Sequence, residues 1–105
     1  MKTITDIGQQ IKHVVKQTDP SAIAILYGSR ATGKATKDSD WDILILLNKP
    51  NIALSDEQAF RHKLYDVELM TGEPISTFVY TIDDWHTRMS VTPIYQEIQK
   101  HGITL

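Results

Sequence analysis

Ile4, Ile7, Ile11, Val14 and Val15 recur at the three- and four-residue spacing of one helix face, with Lys, Gln and His between them. The pattern predicts an amphipathic helix that stops at Asp19-Pro20, because the residue before a proline is pushed out of the α region. Residues 22–27 (AIAILY) form a short, nearly all-apolar run ending at a glycine, which predicts a buried strand. Polar residues 30–39 follow, then Trp41-Asp42 and the run from Ile43 to Leu47, a second buried strand closed by Asn48-Lys49-Pro50-Asn51. Ser55-Asp56-Glu57-Gln58 reads as a capping box, with Ser55 at the N-cap and Gln58 reaching back to it. Phe60, Leu64 and Val67 then mark the inner face of a helix that Gly72 ends. The β-branched and aromatic run 75–82 (ISTFVYTI) predicts a third strand. Thr92-Pro93 supplies an N-cap and a first-turn proline for a last helix faced by Ile94, Tyr95 and Ile98 and ended at Gly102. The order α-β-β-α-β-α predicts a small α/β (α+β) domain with a sheet of at least three strands.

With 105 residues, one domain spanning 1–105 is expected. The hydrophobic share of 41% suits a soluble but modest core, so a function needing a second lobe would draw on a partner or an oligomer. A formal net charge of −2 supplies no basic field and argues against strong general nucleic-acid binding. The absence of cysteine excludes disulfides, zinc–thiolate sites and thiol catalysis. MKTITDIGQQIKHVVKQTD holds no long apolar segment, and no run approaches a membrane span, so the expected location is the cytoplasm, away from membranes. His13, His62, His86 and His101 are scattered without metal-ligand spacing and read as surface residues.

The candidate chemistry sits between the first two strands. GSRATGKAT (28–36) nearly matches the phosphate loop G-x-x-x-x-G-K-[ST], but Ala35 stands where the Mg²⁺-binding hydroxyl belongs. Only five residues separate Lys34 from Asp40, too few for the helix that such a loop feeds. Asp38-Ser39-Asp40-Trp41-Asp42 opens like a calcium loop, yet Ile43 and Lys49 hold the positions that demand Gly and Glu. A third reading joins both pieces. On a strand, Asp40 and Asp42 project from one face, while Trp41 and Ile43 point to the other. Two close carboxylates repel unless a cation lies between them, and they are the hard oxygen ligands that Mg²⁺ uses alongside substrate phosphates. Gly28 lets a phosphate approach the backbone, the Ser29 hydroxyl and following amides can donate to it, and Arg30 or Lys34 can neutralise further charge.

LYGSRATGKATKDSDWDILILL resembles the signature of the nucleotidyltransferase superfamily that includes DNA polymerase β. More closely, it is similar to the minimal nucleotidyltransferases, in which Gly-Ser is followed after ten residues by Asp-x-Asp. Gly28-Ser29 and Asp40-Trp41-Asp42 fit without a gap, and Gly33 and Ser39 match common positions of the group. The resemblance implies a nucleotidyltransferase fold with a mixed sheet flanked by helices. It also implies that Gly28, Ser29, Arg30, Gly33, Lys34 and Ser39 bind a nucleoside triphosphate, ATP before others, while Asp40 and Asp42 hold Mg²⁺ and carry catalysis. The acceptor would be a hydroxyl, on a helical HEPN-type partner protein toward which the chain acts as antitoxin; a homo-oligomer is the other assembly expected. Such enzymes usually carry a third carboxylate within a later strand, and ISTFVYTI has none. Asp83 and Glu68 are the candidates for it; alternatively Ser76 occupies the slot, leaving a weak or inactive nucleotide-binding module.

Overall fold

The computed structural model describes residues 4–105, with side chains from residue 6 onward; the Ile4 side chain expected on the first helix face lies outside the described residues. Helix α1 (Ile4–Thr18) is followed by strand β1 (Ile23–Tyr27), a one-turn helix α2 (Ser29–Thr32) and strand β2 (Trp41–Leu47). Helix α3 (Leu54–Thr71), strand β3 (Ile75–Thr81), helix α4 (Ile82–His86), a 3-10 turn (Arg88–Val91), helix α5 (Pro93–His101) and strand β4 (Ile103–Thr104) complete the chain. The sheet order is β3-β2-β1-β4, with β2 and β3 parallel and β1 antiparallel to both its neighbours, so the sheet is mixed.

The apolar runs are explained by their place in this sheet. Strand β2 lies between β1 and β3 and is covered on both faces, so consecutive residues Ile43 to Leu47 are all buried. Ile43, Ile45 and Leu47 pack with Ile7, Ile11 and Val15 of α1 and Phe60, Leu64 and Val67 of α3. Leu44 and Leu46 pack on the other face with Tyr27, Trp85 and Ile98. The rings of Phe78, Tyr80, Trp85 and Tyr95 follow one another across that second layer at centroid spacings of 6.4, 5.9 and 5.1 Å.

Two local expectations are corrected. The N-cap of α3 is Ala53, not Ser55: the Asp56 carboxylate accepts from the Ala53 amide at 3.1 Å, and Gln58 does not reach back. Asp56 also accepts from Lys49 Nζ at 2.9 Å; that bond, with the Ala53 amide, holds its carboxyl below the usual value. A lowered folded pKa supplies stability above the ordinary carboxylate range near pH 4, and that stability is lost as pH falls through the folded value. Asp56→Asn is therefore expected to lower Tm at neutral pH, the deficit shrinking in scans taken at progressively lower pH. The α-β-β-α-β-α order also omitted α2, α4, the 3-10 turn and β4, which are too short for a periodic signal. The Thr92 cap holds as expected, its hydroxyl accepting from the Tyr95 amide.

Candidate active site

Strand register brings one row of polar positions together. Tyr27 of β1 pairs with Asp42 of β2, and Asp42 pairs with Ser76 of β3. Side chains alternate along β2, so Trp41 and Ile43 enter the α1–α3 layer while Asp42 faces the opposite side with Leu44 and Leu46. Asp40 precedes the strand and is exposed; Ser76 Oγ donates to its Oδ2 at 3.3 Å. Asp42 is part-buried, and burial first, then the charge of Asp40, pushes its carboxyl above the ordinary range. Beneath it the Tyr27 phenol is pushed up to about 12 by burial, then by the charge of Asp42 and by Tyr80, so it stays neutral.

The turn after β1 is pressed against this pair. Gly28 has φ 74° and ψ −156°, a region open essentially to glycine alone, and a Cβ added there would run into the Asp42 carboxylate. Ser29 to Thr32 make a single helical turn closed by Gly33 in the left-handed conformation. The Ala31 and Thr32 amides donate to the Gly28 carbonyl and the Lys34 amide to that of Ser29. The Ser29 and Arg30 amides head the turn, where no intrahelical acceptor exists. Gly28 and Ser29 thus lie beside Asp42, Gly33 shapes the turn, and Lys34 is exposed beyond it.

Arg30 and Ser39 are placed differently from expectation. The Arg30 guanidinium lies 4.8 Å from the centroid of the Trp41 ring, donates to the Ser39 carbonyl at 2.9 Å and pairs with Glu73 at 3.4 Å. Trp41 is 3% exposed and donates its indole N–H to the same Glu73 carboxylate at 3.3 Å. Arg30 therefore sits on the Trp41 side of β2 and fastens the 33–40 loop to the start of β3. Trp41 is a core residue there, not a pocket wall beside the acids. The Ser39 hydroxyl accepts from the Thr36 amide at 2.9 Å and closes that loop from within. Glu73 was missed by sequence reasoning, because an acid acting on Arg30 across 43 positions leaves no local pattern.

Neither candidate for a third acid reaches the pair. Glu68 Oε1 accepts from the Ile75 amide at 2.7 Å, on the α3 side of the sheet. Asp83 lies past the far end of β3; because β3 runs parallel to β2, its end departs from the site, about 20 Å along the strand. Ser76 is the β3 residue in register with Asp42. Among the described residues no group of three or more His, Asp or Glu is placed to hold a metal by itself, and no helix is long and apolar enough to cross a membrane.

A family model described as Polymerase beta, Nucleotidyltransferase matches residues 9–105, nearly the whole chain. No curated protein sequence matches the chain.

Proposed function

The chain belongs to the polymerase β nucleotidyltransferase family, and from that premise we propose that it transfers a nucleoside monophosphate from a nucleoside triphosphate, ATP first, to an acceptor hydroxyl with Mg²⁺ at Asp40 and Asp42. The observation that carries this reading is the carboxylate pair on one sheet face, with the glycine turn flush against it. The donor set fits a hard divalent cation: Asp42 is burdened by burial and by Asp40, and a cation between them relieves both. When bound there, the ion neutralises phosphate charge and stabilises the attacking and leaving oxygens of an in-line displacement.

The chain's own residues do the rest. Gly28 admits the triphosphate to the backbone, and the Ser29 hydroxyl with the Ser29 and Arg30 amides donates to its oxygens. Asp40 and Asp42 would hold the ion, and Ser76 orients Asp40. The acceptor oxygen bonds to the α-phosphorus, the bond from that phosphorus to the β-bridging oxygen breaks, pyrophosphate leaves with the electron pair, and the hydroxyl proton passes to water. Arg30 and Ser39 contribute by fixing the loop that carries Asp40. Similarity to the minimal nucleotidyltransferases favours a helical HEPN-type partner protein as acceptor, an antitoxin role and a cytoplasmic setting. The direct test is incubation with labelled ATP, Mg²⁺ and candidate partners; equal labelling by wild type and an Asp40→Ala/Asp42→Ala variant would sink the site.

A second reading, a binding module with weak turnover, is favoured by Ser76, a hydroxyl in register with Asp42 where an acid would complete the ion's shell. Ser76→Asp discriminates between the two. It is expected to tighten Mn²⁺ binding roughly tenfold by calorimetry, to raise transfer and to lower Tm without cation by adding a third like charge. Unchanged Mn²⁺ affinity would show that position 76 does not address the ion.

A further inference from the structure

On the transferase reading, the strand order sets the side from which an acceptor approaches. Across the sheet the order is Gly28 after β1, Asp42 on β2, Ser76 on β3. An in-line displacement puts the attacking and leaving oxygens on opposite sides of the α-phosphorus. With the triphosphate over Gly28-Ser29, pyrophosphate departs on the β1 side, and the acceptor oxygen must enter over β3. Strand β3 is an outer strand, with nothing paired beyond it among the described residues.

That edge is built to receive another backbone. Trp41 donates its amide to the Pro74 carbonyl, so the Pro74 carbonyl faces β2, and alternation turns the backbone groups of Ile75, Thr77 and Val79 outward. Glu68 takes the Ile75 amide, which confirms the outward direction and leaves the groups of Thr77 and Val79 open among the described residues. Exposed edges are ordinarily blunted by charge, proline, bulges or shortness. This one runs seven residues, ISTFVYT, with no charge and no proline, whereas the opposite edge, β4, has two residues. Phe78, 46% exposed, shares the face of Ser76 two positions along, about 6.8 Å from it. Beyond the Glu68 carboxylate at its start the row of amides and carbonyls is uncharged; it does not attract a polyanion and pairs with an extended polypeptide.

We propose that the open edge of β3 docks an extended, uncharged polypeptide segment as an added strand, and that a hydroxyl side chain of this segment is the acceptor delivered over Ser76 to Asp40 and Asp42. The inference rests on the transferase reading and names how its acceptor is held. That acceptor oxygen bonds to the α-phosphorus of ATP, pyrophosphate leaves, and the proton passes to water.

The test uses the full chain, labelled ATP, Mg²⁺ and a synthetic pool of ten-residue peptides randomised around one Ser, Thr or Tyr. Labelled peptides are expected to be enriched in uncharged, β-branched flanks. Thr77→Pro removes an outward amide while leaving the ladder to β2, and is expected to cut peptide labelling about tenfold; Thr77→Val keeps the amide and should label as wild type does. If Thr77→Pro fails to fold, Phe78→Glu, which sets a charge on the strip, carries the same expectation. A wild-type chain that binds no Mg²⁺–ATP in calorimetry, or binds it and transfers label to no acceptor of any kind, fails the transferase reading and takes this inference with it. A chain that transfers label to a partner protein yet to no peptide, or labels peptides equally as wild type and Thr77→Pro, overturns the edge alone. A dimer in light scattering that Thr77→Pro dissolves assigns the edge to a second copy and overturns it too.

Discussion

Asp42→Asn is expected to abolish nucleotidyl transfer while leaving the fold as stable as before or slightly more so. The activity loss follows from removing one of two charged oxygen donors for the ion. The charge stabilisation at stake is several kcal/mol, or about a thousandfold in rate. Stability moves the other way because the folded chain gains nothing from the Asp42 charge: burial and Asp40 both oppose it. No hydrogen bond to the Asp42 carboxylate compensates among the described residues, in contrast to Asp40, which accepts from Ser76. Solvent reaches part of the carboxylate and screens the repulsion, so the rise in Tm should be on the order of 2 °C. Opposite signs for activity and stability mark a group kept for chemistry rather than for folding. A transfer assay and a thermal scan on one preparation decide the matter. A fall in Tm of several degrees would make Asp42 a structural anchor, and retained transfer would remove it from the site.

The features legible in the sequence are those decided by neighbours along the chain. Strand alternation alone separates Asp40 and Asp42 from Trp41 and Ile43, and the layers on either side of β2 bear that separation out. The turn at Gly28 and the end of α3 at Gly72 follow from glycine's access to positive φ. The illegible features depend on contacts distant in sequence. Arg30 beside Ser29 reads as a phosphate ligand until Glu73 and Trp41 claim it from the other side of β2. Asp83 reads as a neighbour of the site only while the direction of β3 is unknown; the parallel pairing with β2 carries its end away. Ser55 looks a better cap than Ala53, but Lys49 and the Ala53 amide hold Asp56 in the position that sets the helix start. The strand and turn chemistry of the pair was therefore readable, whereas the shell around it was not.

Gly28→Ala should damage both stability and activity, and the two losses have separable causes. Gly28 occupies a backbone region that an L side chain enters at a cost on the order of 1–3 kcal/mol, enough in a chain this short to lower Tm by roughly 10 °C. The added Cβ would also overlap the Asp42 carboxylate, so either the turn or Asp42 must shift. Displacement by about 1 Å at such a site costs on the order of a hundredfold in rate, and transfer should remain depressed well below the lowered Tm. A double-mutant cycle with Asp42→Ala divides the terms. Truncating Asp42 removes the overlap and leaves the backbone strain, so Gly28→Ala should cost less stability in that background than in wild type. Equal costs in both backgrounds would mean that the close approach of turn and carboxylate contributes nothing. Gly28→Ala with wild-type Tm and transfer would remove the basis for placing a triphosphate against this backbone.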